Sequence, residues 1–137
     1  MIRVARWLRL LAPLLLACGS DSTGPTIASV AGTYTATTFT ATRSTGTTDL
    51  LAGGATVIAM LNPNGTRTGS LHVPAALNNG TPVDQDLTGT WGLTGGQVIF
   101  HQTAATFLPD LAFTVRSNQL EGFGAFGGAT LHIVLTK

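Results

Sequence analysis

The chain has 137 residues, and only 9% of them are charged. Three of its seven bases, Arg3, Arg6 and Arg9, lie in the first nine residues; the rest carries four scattered bases (Arg43, Arg67, Arg116, Lys137) against six acids, a net charge of −2. That balance excludes nucleic acid as a partner, because displacing counterions from phosphates takes clustered Lys and Arg.

Met1 to Arg9 is basic and free of acids, Leu10 to Ala17 is an apolar run broken by Pro13, and Leu15-Leu16-Ala17-Cys18 follows. This is the three-part layout of a secretory signal. The apolar run falls short of the about 20 residues that span a bilayer, so removal is expected rather than a permanent transmembrane helix. Cys18 is the sole cysteine and has no partner for an internal disulfide.

These residues resemble the signals of bacterial lipoproteins, whose lipobox reads aliphatic, variable, small, Cys. Leu15, Ala17 and Cys18 match it, while Leu16 is bulkier than the Ala or Ser usual there. The resemblance implies that the Cys18 thiol takes a diacylglycerol, that the chain is cut before it, and that the protein is held at a membrane by its acyl chains. Each buried CH₂ adds about 0.8 kcal/mol to such an anchor. Gly19, where inner-membrane retention uses Asp, implies the outer membrane of the cell envelope. Residues 1–17 are thus read as the signal peptide, 18–29 as the lipidated Cys and a flexible tether (GSDSTGPTIAS from Gly19), and 30–137 as one domain. Some eleven tether residues reach roughly 18 Å, so the domain is expected to work close to a lipid surface.

After Ser29 no segment carries helical periodicity; β-branched and aromatic residues alternate in short runs bounded by Gly, Asn and Pro. Strands are predicted at Val30–Thr42, Ala55–Asn62, Thr66–Val73, Asp86–Leu93, Gln97–Gln102, Leu111–Ser117, Gln119–Phe126 and Ala129–Thr136. Asn64-Gly65, Gly95-Gly96, Ser117-Asn118 and Gly127-Gly128 supply residues that tolerate positive φ in tight hairpins, so consecutive strands are expected to pair antiparallel. Pro74–Val83 and Thr103–Pro109 read as longer loops. Alternation gives each strand an apolar face, as in Leu111, Phe113 and Val115 or Leu131, Ile133 and Leu135, and a hydroxylated one. The fold class is all-β: an eight-stranded antiparallel meander closed into a barrel, which removes sheet edges, with a β-sandwich as the alternative.

Gly32-Thr33-Tyr34, Gly89-Thr90-Trp91, Gly96-Gln97-Val98-Ile99-Phe100, Leu120-Glu121-Gly122 and the closing apolar strand resemble the small lipocalin-like lipoproteins of bacteria over Val30 to Lys137. The resemblance implies a barrel able to hold one small apolar ligand. Tyr34, Trp91, Phe100, Phe113 and Phe123 are the expected interior: as bulk they close a core, as walls they line an apolar pocket.

Other constellations favour plainer readings. Gly122 to Gly127 fits GxGxxG, but no helix follows to make a dinucleotide site, so the glycines are read as relieving a bent strand. His72, His101 and His132 sit singly in separate strands, which argues against a shared metal site. Asp84-Gln85-Asp86 with Asn78 and Asn79 reads as a polar loop rather than a calcium site. No nucleophile elbow or other catalytic signature occurs, so neither an enzyme nor a cofactor is expected. The competing reading of the domain is an envelope structural or protein-interaction module with a filled core. It would use its hydroxylated outer face, or an unpaired strand beside the long first strand or the Pro74–Val83 loop.

Overall fold

The computed structural model describes residues 23–103 and 110–137. Among these residues ten strands form: β1 (Gly32–Arg43), β2 (Gly46–Asp49), β3 (Thr56–Leu61), β4 (Thr66–Val73), β5 (Val83–Asp86), β6 (Gly89–Thr94), β7 (Gln97–Gln102), β8 (Leu111–Arg116), β9 (Gln119–Phe126) and β10 (Ala129–Thr136). One helical turn, α1 (Ile27–Val30), precedes them, and a 3₁₀ turn covers Ala75–Leu77.

Eight of these strands close a barrel in the order β1, β3, β4, β6, β7, β8, β9, β10, and the last pairs antiparallel with the first. The expected all-β barrel is therefore the observed fold, and the sandwich is not. The β3–β4, β6–β7, β8–β9 and β9–β10 hairpins turn where the sequence places a residue suited to positive φ. Gly95 and Gly96 (φ 56° and 79°) and Gly127 and Gly128 (φ 54° and 75°) give the paired left-handed residues that a two-residue turn needs to match strand twist.

The two additional strands extend barrel positions rather than adding new ones. β2 pairs with the later half of β1 (Thr40↔Asp49 to Arg43↔Gly46), on the edge that the first half offers to β3. β5 lies against the end of β4 (Ser70↔Asp86 to Val73↔Val83), in line with β6, which takes the start of β4 (Thr66↔Thr90, Arg67↔Gly89). Between β5 and β6 the chain kinks, and Leu87 swings inward while its N–H donates to the Gly69 carbonyl at 2.9 Å. The single strand predicted over Asp86–Leu93 is thus broken at Leu87-Thr88. The positions beside the long first strand and after Pro74, the expected places for an open edge, are occupied by β2 and β5.

A second departure sits in β1. Its register against β10 slips by one residue between Ala36 and Thr38, a bulge that leaves Thr37 over. Tyr34 and Ala36 point inward before it and Phe39 and Ala41 after it, so the bulge turns Phe39 into one of the most buried side chains.

The end of the barrel formed by the start of β1 is closed by α1. Thr26 and Ser29 exchange side-chain to backbone hydrogen bonds across the first turn, a reciprocal cap that fixes where the helix begins. Val30 is buried beneath it, and the Tyr34 hydroxyl donates to the Val30 carbonyl at 2.7 Å. Lys137 latches the same turn, with Nζ donating to the Ser29 carbonyl at 2.6 Å and lying 5.6 Å from the Tyr34 ring centre. Residues 27–29, expected to belong to a flexible tether, instead form a packed helical turn with Val30, and β1 starts at Gly32 rather than Val30.

Candidate functional site

Of the five aromatics expected inside, four are inside. Tyr34 seals the α1 end. Trp91 is buried on β6 with its Nε1–H donating to the Asn62 carbonyl at 2.9 Å, so its polar tip is spent on the β3–β4 turn. Phe100 and Phe113, on the neighbouring strands β7 and β8, meet at 4.7 Å with their rings tilted by 45°. Phe123 is the exception. It is 61% exposed, on the outer surface, stacked on the His132 ring at 4.4 Å.

The reason lies in the period of β9. Leu120, Gly122 and Gly124 take the inward positions, and those glycines leave room for the large side chains of β8. A Cβ at Gly122 would stand 2.7 Å from the Phe113 ring, and one at Gly124 would stand 2.5 Å from Leu111. Glu121 and Phe123 therefore face out.

The inward aromatics do not enclose a ligand-sized space. Between Phe100, Phe113, Leu87, Val57 and Leu135 lies a cavity of about 10 Å³, room for roughly one water molecule. Small-molecule sites run to about 300–1,000 Å³. Larger hollows are grooves rather than interior: one of about 440 Å³ runs between residues 23–29 and the β8–β9 turn, and one of about 370 Å³ lies over Ser70, His72, Asp84 and Asp86. Eight strands give a bore that side chains can fill, and here they fill it.

The one polar intruder is Arg67, a residue the sequence reading passed over. It is 1% exposed, at an inward position of β4 shared with Leu71 and Val73. Gly89 lies opposite it on β6, and the absence of a side chain there lets the guanidinium cross to β7. A Cβ at Gly89 would stand 3.0 Å from Nη2 and 2.0 Å from the His101 carbonyl oxygen. Having crossed, Nη2 donates to Gln102 Oε1, and the guanidinium carbon sits 4.5 Å from the centre of the Phe100 ring. Nε, also buried, has no hydrogen-bond partner among the described residues. Burial pulls the Arg67 pKa down to about 10, against the pull of the Asp110 carboxylate, which leaves the group charged at neutral pH. The signal was present in the alternation of Arg67, Gly69, Leu71 and Val73, which places an arginine on the core face.

The remaining charges are spread over the outside. Each histidine has a carboxylate of its own: His72 Nδ1 lies 2.6 Å from Asp84, His101 Nδ1 lies 3.2 Å from Asp110, and His132 Nε2 lies 3.1 Å from Glu121. Glu121 also accepts from Arg116 Nε at 2.9 Å, and these two hydrogen bonds, that from Arg116 first, hold its carboxyl below the ordinary carboxylate range. Asp110 is lowered too, chiefly because the Gln102 backbone N–H donates to it and then by His101.

No cluster of three or more His, Cys, Asp or Glu able to hold a metal occurs among the described residues. Asp84 and Asp86 lie in β5, while the Asn78 amide is turned to the Thr81 carbonyl, so these polar groups do not converge. Cys18 and the signal segment lie outside the described residues. No family model, curated protein or solved structure matches the chain.

Proposed function

We propose that the chain is a lipid-anchored module of the bacterial envelope, acylated on Cys18, whose barrel serves as a closed scaffold for contacts on its outer face rather than as a carrier of a small apolar ligand. The anchor rests on the lipobox-like run Leu15 to Cys18. The choice between scaffold and carrier rests on one observation: the cavity among the inward aromatics holds about 10 Å³. With the interior filled, what the domain can offer a partner is its Thr-rich surface with a few apolar projections, Ile58, Met60 and Phe123.

Both halves are testable in one preparation. Expressed from its own signal in a diderm bacterium, the wild-type protein should enter the detergent phase on phase separation and carry the mass of a diacylglyceryl cysteine, while Cys18→Ser should stay aqueous. The purified protein should leave the fluorescence of an environment-sensitive fatty-acid probe unchanged. Saturable probe uptake lost on Phe113→Trp would restore the carrier reading, and an unacylated wild-type protein would remove the anchor.

A further inference from the structure

The interior holds a positive charge that the described residues do not neutralise. Among the described residues Arg67 is the only buried charged or polar one of the core, and it forms no ion pair with any of them. The carboxylate that acts on it from a distance, Asp110, is exposed and already engaged by the Gln102 N–H and His101. Phe100 supplies a ring face and Gln102 one neutral acceptor. A dehydrated guanidinium with an unmet N–H is costly unless something accepts from it, and an anion makes the stronger, charge-assisted bond.

The vacant N–H belongs to a side chain that lines the central cavity, and Gln102 lies on the same wall. The rest of the lining is apolar, Val57, Ala59, Leu87 and Phe113 among it. At about 10 Å³ the space admits a particle the size of a water or a halide and excludes the tail of a fatty acid.

We propose that this cavity is a binding site for a single small monovalent anion of halide size, held by the N–H of Arg67 Nε with the Gln102 amide as second donor. The size of the ligand rests on the reading of a closed barrel; the presence of an anion site rests on Arg67 alone. The site neutralises the core cation, so its occupancy is linked to folding: an anion bound to the native state raises the folded-to-unfolded ratio by the factor 1 + [anion]/Kd, tenfold for each decade of concentration well above Kd.

The test is chemical denaturation of the purified protein while gluconate, too large for the cavity, is exchanged for bromide at constant ionic strength. The expected result is a folded-to-unfolded ratio that climbs with bromide in the wild type and is flat in Arg67→Met, and, in crystals soaked in bromide, an anomalous peak within hydrogen-bond distance of Arg67 Nε. A second variant, Gln102→Leu, keeps the cation and should weaken the bromide response without abolishing it. An equal response in Arg67→Met, or no response together with no peak, overturns the anion site and leaves the closed barrel standing. Stabilisation by decanoate and not by bromide overturns the halide-sized site and the closed-barrel reading together.

Discussion

Arg67 and Gly89 form one unit, since the arginine can cross to β7 only because its neighbour has no side chain. Gly89→Ala should destabilise the protein by about 2–3 kcal/mol, the cost of forcing a methyl group into the His101 carbonyl and the guanidinium, read as a lower urea midpoint with unchanged slope. Arg67→Met should go the other way in anion-free buffer, neutral to about 2 kcal/mol more stable, because a well-packed apolar side chain then replaces a buried charge. Phe113→Ala, which empties the centre of the bore, should cost about 3–5 kcal/mol by the same measurement, whereas Phe123→Ser should stay within about 0.5 kcal/mol. The pattern of inward residues was largely readable: Tyr34, Trp91, Phe100 and Phe113 are where alternation puts them. Phe123 departs from the expected interior because Gly122 and Gly124, not the aromatic between them, hold the crowded inward positions beside Phe113 and Leu111. Phe39 was not readable, since period two counted from Tyr34 turns it outward and only the bulge at Thr37 reverses the count.

β8, β9 and β10 are bound on their outer face by Arg116, Glu121 and His132, one residue from each strand, with the carboxylate shared between two donors. Because the folded-state pKa of Glu121 is depressed, its contribution to stability is complete above the ordinary carboxylate value and disappears as pH falls through the folded value. In an NMR titration its carboxyl should therefore change below the ordinary range, and Arg116→Met should shift that midpoint upward more than His132→Gln, in the order of the two hydrogen bonds. At the other end of the molecule, Tyr34→Phe removes the bond to Val30 and should cost about 1 kcal/mol, with faster amide exchange over α1 as its signature. The elements invisible in the sequence are the short polar ones. β2 reads Gly-Thr-Thr-Asp and is exposed throughout, so no alternation marks it; β5 lies in what scans as the end of a polar loop. Both owe their extended shape to the longer strand beside them, β1 or β4, rather than to any preference of their own.

The whole molecule is a meander in which seven neighbouring pairs along the barrel are close in sequence and one is not. The pairing of β1 with β10 joins Thr35 to Thr136 and Thr42 to Thr130, across nearly the full length of the domain. Closing so distant a pair costs loop entropy before any contact repays it, so refolding from urea should take milliseconds to seconds, and substitutions along the seam, such as Ile133→Val, should slow folding less than they speed unfolding if closure comes last. Antiparallel order and turn chemistry made this topology legible, because the β3–β4, β6–β7, β8–β9 and β9–β10 hairpins each carry a turn signal in the sequence; the seam follows only from the need to bury edges. That seam has a further consequence while the protein is being made. Until residues 129–136 have left the ribosome, β1 presents a bare row of amide and carbonyl groups, and a truncated or stalled product keeps two adhesive edges that the finished barrel does not have. The same pairing that joins the two ends of the folded meander makes the nascent chain depend on being held apart from its neighbours up to β10.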